Sequence, residues 1–278
     1  MSTEAGSGTA GFPVASLFPV ASLFPAAEFK VSTERLVDLS HPLDANTPIW
    51  PDTPSPFDKL TLKTYTDHSQ SKGQWGYYQA EGLTTATHVG THMDAPIHFN
   101  KSGLDVSQLS LEQLIGPAVV LNVTKKVQSN PDYLVTQEDV KDWETTHGRI
   151  PQGSFVFMLS GWGAKWPALS NVYGSTDVAN VSSLHYPAFE PATTSFLVKE
   201  RGIRGIGVDS PSTDYGQLKN PGTHIALAEN NRIGLENVAN LESMSEAGGY
   251  VIVLPMKLAG GAGAPTRIVG VLAPEVKG

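Results

Sequence analysis

The 278-residue chain contains no cysteine. That excludes disulfides, thiolate nucleophiles and cysteine-ligated zinc, so any chemistry rests on histidines, carboxylates and hydroxyls. Charged residues make up only 17%, and basic ones are the minority at 19 against 27 acidic. The net charge of −8 argues against a nucleic-acid partner, whose binding surface concentrates Lys and Arg. No apolar run approaches the roughly 20 residues needed to span a bilayer, so no membrane partner is expected. The chain also lacks a Gly-x-Ser-x-Gly elbow. Residues 202–210, GIRGIGVDS, lack the third glycine of a dinucleotide-binding fingerprint.

What is present is ordinary globular composition, 40% apolar, on a chain long enough for a sizeable core. Residues 1–30 stand apart: the hexapeptide PVASLF occurs at 13–18 and again at 19–24. Two copies cannot build a solenoid, and the prolines oppose helix and central strand. This segment is expected to be an extension, disordered or draped on a partner subunit, with residues 31–278 as the single folded domain. The N-terminus lacks the basic region of a secretory signal, which makes a cytoplasmic location the expectation.

Within the body, residues 35–40 and 61–65 alternate like half-buried strands. Residues 119–124, 154–158 and 205–208 are short and apolar, as buried strands are. Thr136 is placed to cap a helix through Val140 and Trp143. A helix is expected to start at Pro191 and stop before Gly202. Residues 250–254 and 267–272 read as closing strands around the loop GGAGAP. The fold class is therefore mixed α/β.

Two clusters carry candidate chemistry. THVGTHMDAPIHF, residues 87–99, packs His88, His92, Asp94 and His98 into eleven positions. A zinc-protease helix is disfavoured because the glutamate of His-Glu-x-x-His is missing and Gly90 and Pro96 interrupt. In extended chain His92 and Asp94 share a side, and Gly90 permits a bend that turns His88 toward the same ion. Two imidazoles and a carboxylate suit Zn²⁺ or Mn²⁺ with a position left for water. The second cluster runs from His224 to Glu236. In one helix these residues would lie about 18 Å apart, so they converge only if the chain turns at Asn230–Asn231. Spacing alone leaves Glu229 as good a candidate as Glu236.

The run from His88 to Phe99, His-x-Gly-Thr-His-x-Asp-x-Pro-x-His-Phe, resembles the signature of the metal-dependent cyclase family, which includes bacterial kynurenine formamidases and isatin hydrolases. The likeness extends from about Arg35 to the C-terminus, taking in LVDLSHPL, Ser160-Gly161-Trp162, residues 205–214 and the spacing of His224 and Glu236. It implies the swivelling β/β/α cyclase-type fold and a homo-oligomer, dimer or tetramer. It also implies that His88, His92 and Asp94 bind one divalent ion, Zn²⁺ or Mn²⁺. Asp94, His224 and Glu236 complete a second site where two ions are held, which favours Glu236 over Glu229.

By the same resemblance His98 is the catalytic proton donor and acceptor, free of metal and titrating near neutrality. Trp50 matches a substrate-contacting aromatic, and Trp75, Tyr77 and Tyr78 are further candidates for an aromatic wall. The implied activity is metal-dependent hydrolysis of a C–N amide bond in a formyl or cyclic aryl amide. The alternatives are a lactone hydrolase or lyase/cyclase on the same scaffold, or a catalytically silent metal-binding member. Asp209 and Ser210 are expected near the pocket, Asp209 either orienting a ligand or capping a loop.

Overall fold

The computed structural model describes residues 32–66, 79–217 and 220–273. The N-terminal extension with its repeat, and Trp75, Tyr77 and Tyr78, lie outside these residues. Twelve strands are found among them: β1 (Leu36–Asp38), β2 (Thr61–Thr66), β3 (Gln79–Thr84), β4 (His92–Asp94), β5 (Ile115–Asn122), β6 (Leu134–Val135), β7 (Phe155–Leu159), β8 (Ala188–Phe189), β9 (Gly205–Val208), β10 (Ile233–Glu236), β11 (Gly249–Pro255) and β12 (Gly263–Val271). The α-helices are α1 (Leu111–Leu114), α2 (Thr124–Ser129), α3 (Gln137–His147), α4 (Leu169–Val172), α5 (Pro191–Phe196) and α6 (Gly222–Ala228).

Eight strands form one sheet in the order β1-β12-β11-β5-β7-β9-β10-β4. The pairing of β4 back onto β12 closes seven of them into a ring. β5, β7, β9 and β10 run parallel, and the antiparallel strands complete the circuit. Parallel strands covered on both faces read as continuous apolar runs, and β7, β9 and β10 are buried throughout. Alternation then sorts their side chains into two layers. Val156 and Met158 pack outward with Val140, Trp143 and Leu197 from the helical side. Phe155 and Phe157 point the other way, into a core shared with Leu235, Val251 and Ile268.

The mixed α/β class is as expected, with differences at element ends. β5 starts at Ile115 and stops at Asn122, because Thr124 already opens α2. Half of the GGAGAP loop is strand: Gly263, Ala264 and Pro265 pair with Asp94, Met93 and His92. The helix from Pro191 loosens into a π turn at Leu197–Arg201 before Gly202 ends it. Among the described residues no helix is long and apolar enough to cross a membrane.

Thr136 caps α3 as its sequence predicts, through a reciprocal box in which Thr136 and Asp139 bond each other's backbone N–H. Asp139 also accepts from Lys126 and from Tyr133 Oη at 2.9 Å. Burial pushes this carboxyl up, but hydrogen bonds from Lys126, Thr136 and Tyr133 outweigh it and hold its pKa below the usual range. Asp139→Ala is expected to lower unfolding free energy by about 2–3 kcal/mol, since it leaves several donors without an acceptor. The wild type's advantage should be full above about pH 4, the unfolded pKa, and vanish as pH falls through the depressed folded value. Urea melts of both proteins across pH 3–7 check both points.

Candidate metal centre

Three short elements bring the ligand-type side chains together. β4 pairs with β10 so that His92 lies opposite Glu236 and Asp94 opposite Gly234. Residues two apart in a strand share a face, so His92, Asp94 and Glu236 converge. His224 comes from α6, and a turn through Asn230 and Asn231, the latter at φ +50°, reverses the chain into β10. His224 Nε2 thereby lies 3.2 Å from Glu236 Oε1 and 3.3 Å from Asp94 Oδ2. Glu229, which caps the end of α6, is exposed, whereas Glu236 is buried. His88 enters across Gly90, which sits at φ +58° where a Cβ would lie 2.3 Å from Leu43 Cδ2. Its Nδ1 is 2.7 Å from Asp94 Oδ1. Gly263 of β12 leaves room for that imidazole, since a Cβ there would meet His88 Cε1 at 2.4 Å.

The hydrogen bonds fix which nitrogens face inward. His92 Nδ1 donates to the Gly90 carbonyl at 2.9 Å, and His224 Nδ1 donates to Asp214 Oδ2 at 2.6 Å. Each ring then turns Nε2 toward the carboxylates, with His92 Nε2 at 3.4 Å from Asp94 and 3.3 Å from Glu236. Four ligands on one tetrahedral ion at 2.0–2.2 Å would sit about 3.4 Å apart, so the spacing fits a cation. Asp94 Oδ2 is buried without a hydrogen-bond partner, as a ligand atom would be.

The electrostatics say the same. Burial lowers the pKa of His92, but Asp94 and Glu236 overcome it and lift the value to about 10. Burial likewise opposes charge on His224, and Asp214, Asp94 and Glu236 raise it well above its usual value. Burial and Asp94 push Glu236 up, while His224 and His92 bring it down to about 2. The pocket demands positive charge between its two carboxylates. His88, Asp94 and His98 form one candidate ligand group and His92, Asp94 and Glu236 another, with Asp94 common to both.

Above this floor opens a cavity of about 620 Å³, walled by Trp50, Phe57, Phe99, Tyr173, Tyr186 and Tyr215. His98, in the turn Pro96–His98, borders it and stacks on His88 with ring centroids 4.1 Å apart. Its side chain opens onto the cavity, yet the enclosing walls desolvate it and push its pKa down to about 4, with Asp94 opposing and His88 adding to the shift. The sequence expectation of titration near neutrality is thus corrected: His98 is held neutral. Trp50 is half-buried and meets Tyr173 edge-on at 5.7 Å.

Residues 37–215 match the model of the Cyclase family, described as "Putative cyclase". The chain belongs to this family. An isatin hydrolase of Roseibium aggregatum is 30% identical over 199 residues, covering 68% of this chain and 73% of that protein. A kynurenine formamidase of Bacillus cereus is 29% identical over 206 residues, covering 72% and 84%. The crystal structure of an isatin hydrolase bound to the product analogue thioisatinate superposes with a TM-score of 0.77 at 27% identity, covering 86% and 92%.

The cyclase match takes in His88, His92, Asp94, His98 and Trp50 and stops short of His224 and Glu236; the fold brings these last two in. Asp209 proves to be the loop cap, accepting from the backbone N–H groups of Ser160, Gly161 and Trp162. Ser210 bonds the Ser212 carbonyl. The residue that orients a histidine is Asp214, which also accepts from Thr223 N and His224 N at the start of α6. No spacing rule ties it to His224, and only the fold reveals the pair. Removing such an outer partner typically weakens metal binding 10–100-fold. Asp214→Ala is expected to lower divalent-cation affinity by about that factor, read by competition against a chromophoric chelator.

Proposed function

We propose that this chain hydrolyses the C–N bond of an aryl amide, formyl or cyclic, using a divalent cation held by His88, His92, Asp94, His224 and Glu236. The observation that carries this reading is the convergence of two Nε2 atoms on two buried carboxylates at the floor of an aromatic cavity that His98 also lines. The names of the relatives, isatin hydrolase and kynurenine formamidase, support the reaction class. The nitrogen and carboxylate donors suit Zn²⁺ or Mn²⁺, one ion or two. A cation bound there supplies a water whose pKa falls toward 7.

The protein's own groups do the rest. His92 and His224 are locked in the tautomer that presents Nε2 inward. Trp50 and the neighbouring aromatics bind the aryl ring and displace water from around the scissile bond. An amide nitrogen leaves poorly unless protonated as its bond to carbon breaks. A ring nitrogen of His98, neutral before reaction, takes the proton of the attacking water and passes it to that nitrogen. The products are an arylamine and the freed carboxylate: formate from a formyl amide, a ring-opened acid from a cyclic one.

Purified protein should hydrolyse isatin or N-formylkynurenine, lose activity to a chelator and regain it with Zn²⁺ or Mn²⁺. Absence of turnover with both substrates in every metal-loaded form would overturn the assignment. His98→Ala is expected to keep its metal content and lose a factor of about 10²–10⁴ in kcat, the usual worth of acid–base help.

A further inference from the structure

One polar group on the cavity wall has no task in the scheme above. Tyr173, the residue that ends α4, is 3% exposed and lines the cavity. Trp50 packs edge-on against its ring at 5.7 Å and Tyr186 at 6.5 Å, which fixes its direction. Among the described residues its hydroxyl is neither sealed away from the cavity nor bonded to a protein group. Burial, reinforced by Glu236 and Asp52, raises the Tyr173 phenol far above its usual range, so it stays a donor at any working pH. Buried Tyr hydroxyls normally find an acceptor. Tyr173 and Glu236 line the same cavity, and the Glu236 charge acts on the phenol.

We propose that Tyr173 reads a second carbonyl on the substrate, its O–H donating to a ketone oxygen ortho to the aryl amide nitrogen while the amide carbonyl faces Asp94 and Glu236. This rests on the aryl-amide hydrolase reading and narrows it to ortho-acyl anilides. Isatin and N-formylkynurenine share that arrangement: in each, an aryl ketone flanks the amide nitrogen. The group recognised is the ketone, so a neutral substrate with no amino-acid end suffices.

The test uses two substrates that differ only in the acetyl group, 2′-formamidoacetophenone and formanilide, with wild-type and Tyr173→Phe protein. In the wild type the ketone substrate should have the lower KM. Tyr173→Phe should raise that KM about 3- to 10-fold, the worth of one neutral hydrogen bond, with little change in kcat. On formanilide the change in KM should be clearly smaller than on the ketone substrate, and melting temperature and metal content should stay the same. Equal losses on both substrates would mark a structural role and overturn the proposal, as would no change on either.

Calorimetric binding of the products 2-aminoacetophenone and aniline gives a readout independent of turnover and of the variant's folding. Tighter binding of the ketone by wild type, weakened in Tyr173→Phe, supports the proposal even if neither anilide is hydrolysed, in which case the hydrolase reading alone fails. Equal binding of the two amines by wild type sinks the proposal whatever the turnover.

Discussion

Asp94 and Glu236 are held out of water, 4% and 6% exposed, with the same two imidazoles between them. Removing a carboxylate from water costs several kcal/mol unless positive charge compensates at close range. In this fold that charge must come from protons on His92 and His224 or from a cation in their place. Nearly every local feature around the site follows from that demand. The backbone of Gly90, the carboxylate of Asp214 and the missing side chain at Gly263 each serve to aim one imidazole inward.

The closed ring of strands makes the arrangement rigid. β4 is three residues long and could not hold a geometry alone, but it is paired on both edges, by β10 and by β12. Two of its side chains are candidate ligands, and the residue between them, Met93, anchors in the core. A site built on paired strands keeps its donors at fixed separations, as a cation of short, defined bond lengths requires. Behind it β5, β7 and β9 carry no polar side chains toward the core and act as the support.

The cavity divides its surfaces by chemistry. Its floor is charged and its walls are aromatic, a division that fits the proposed aryl amide, whose ring would meet the aromatic walls and whose scissile bond would lie over the charged floor. His98 stands at the border between the two regions, and desolvation keeps it neutral there. A neutral imidazole can accept a proton first and return it second, which is the order that cleavage of an amide needs.

Much of this was legible along the chain. The 87–99 run, the cap at Thr136, the turn at Asn230–Asn231 and the apolar strands 154–158 and 205–208 each depend on neighbours in sequence, through dihedral preference, capping and alternation. Those forces act over a few residues, so the sequence by itself determined the mixed α/β class and the short strands, and it singled out the 87–99 run as candidate chemistry. It did not determine that Asp214 rather than Asp209 supports a histidine, that the GGAGAP loop is half strand, or that His98 is driven down to about 4. Each of these depends on groups brought together from distant positions: α6 against the 211–217 loop, β12 against β4, the cavity walls around one ring. Burial and proximity are properties of the closed barrel, and only the tertiary structure decided them.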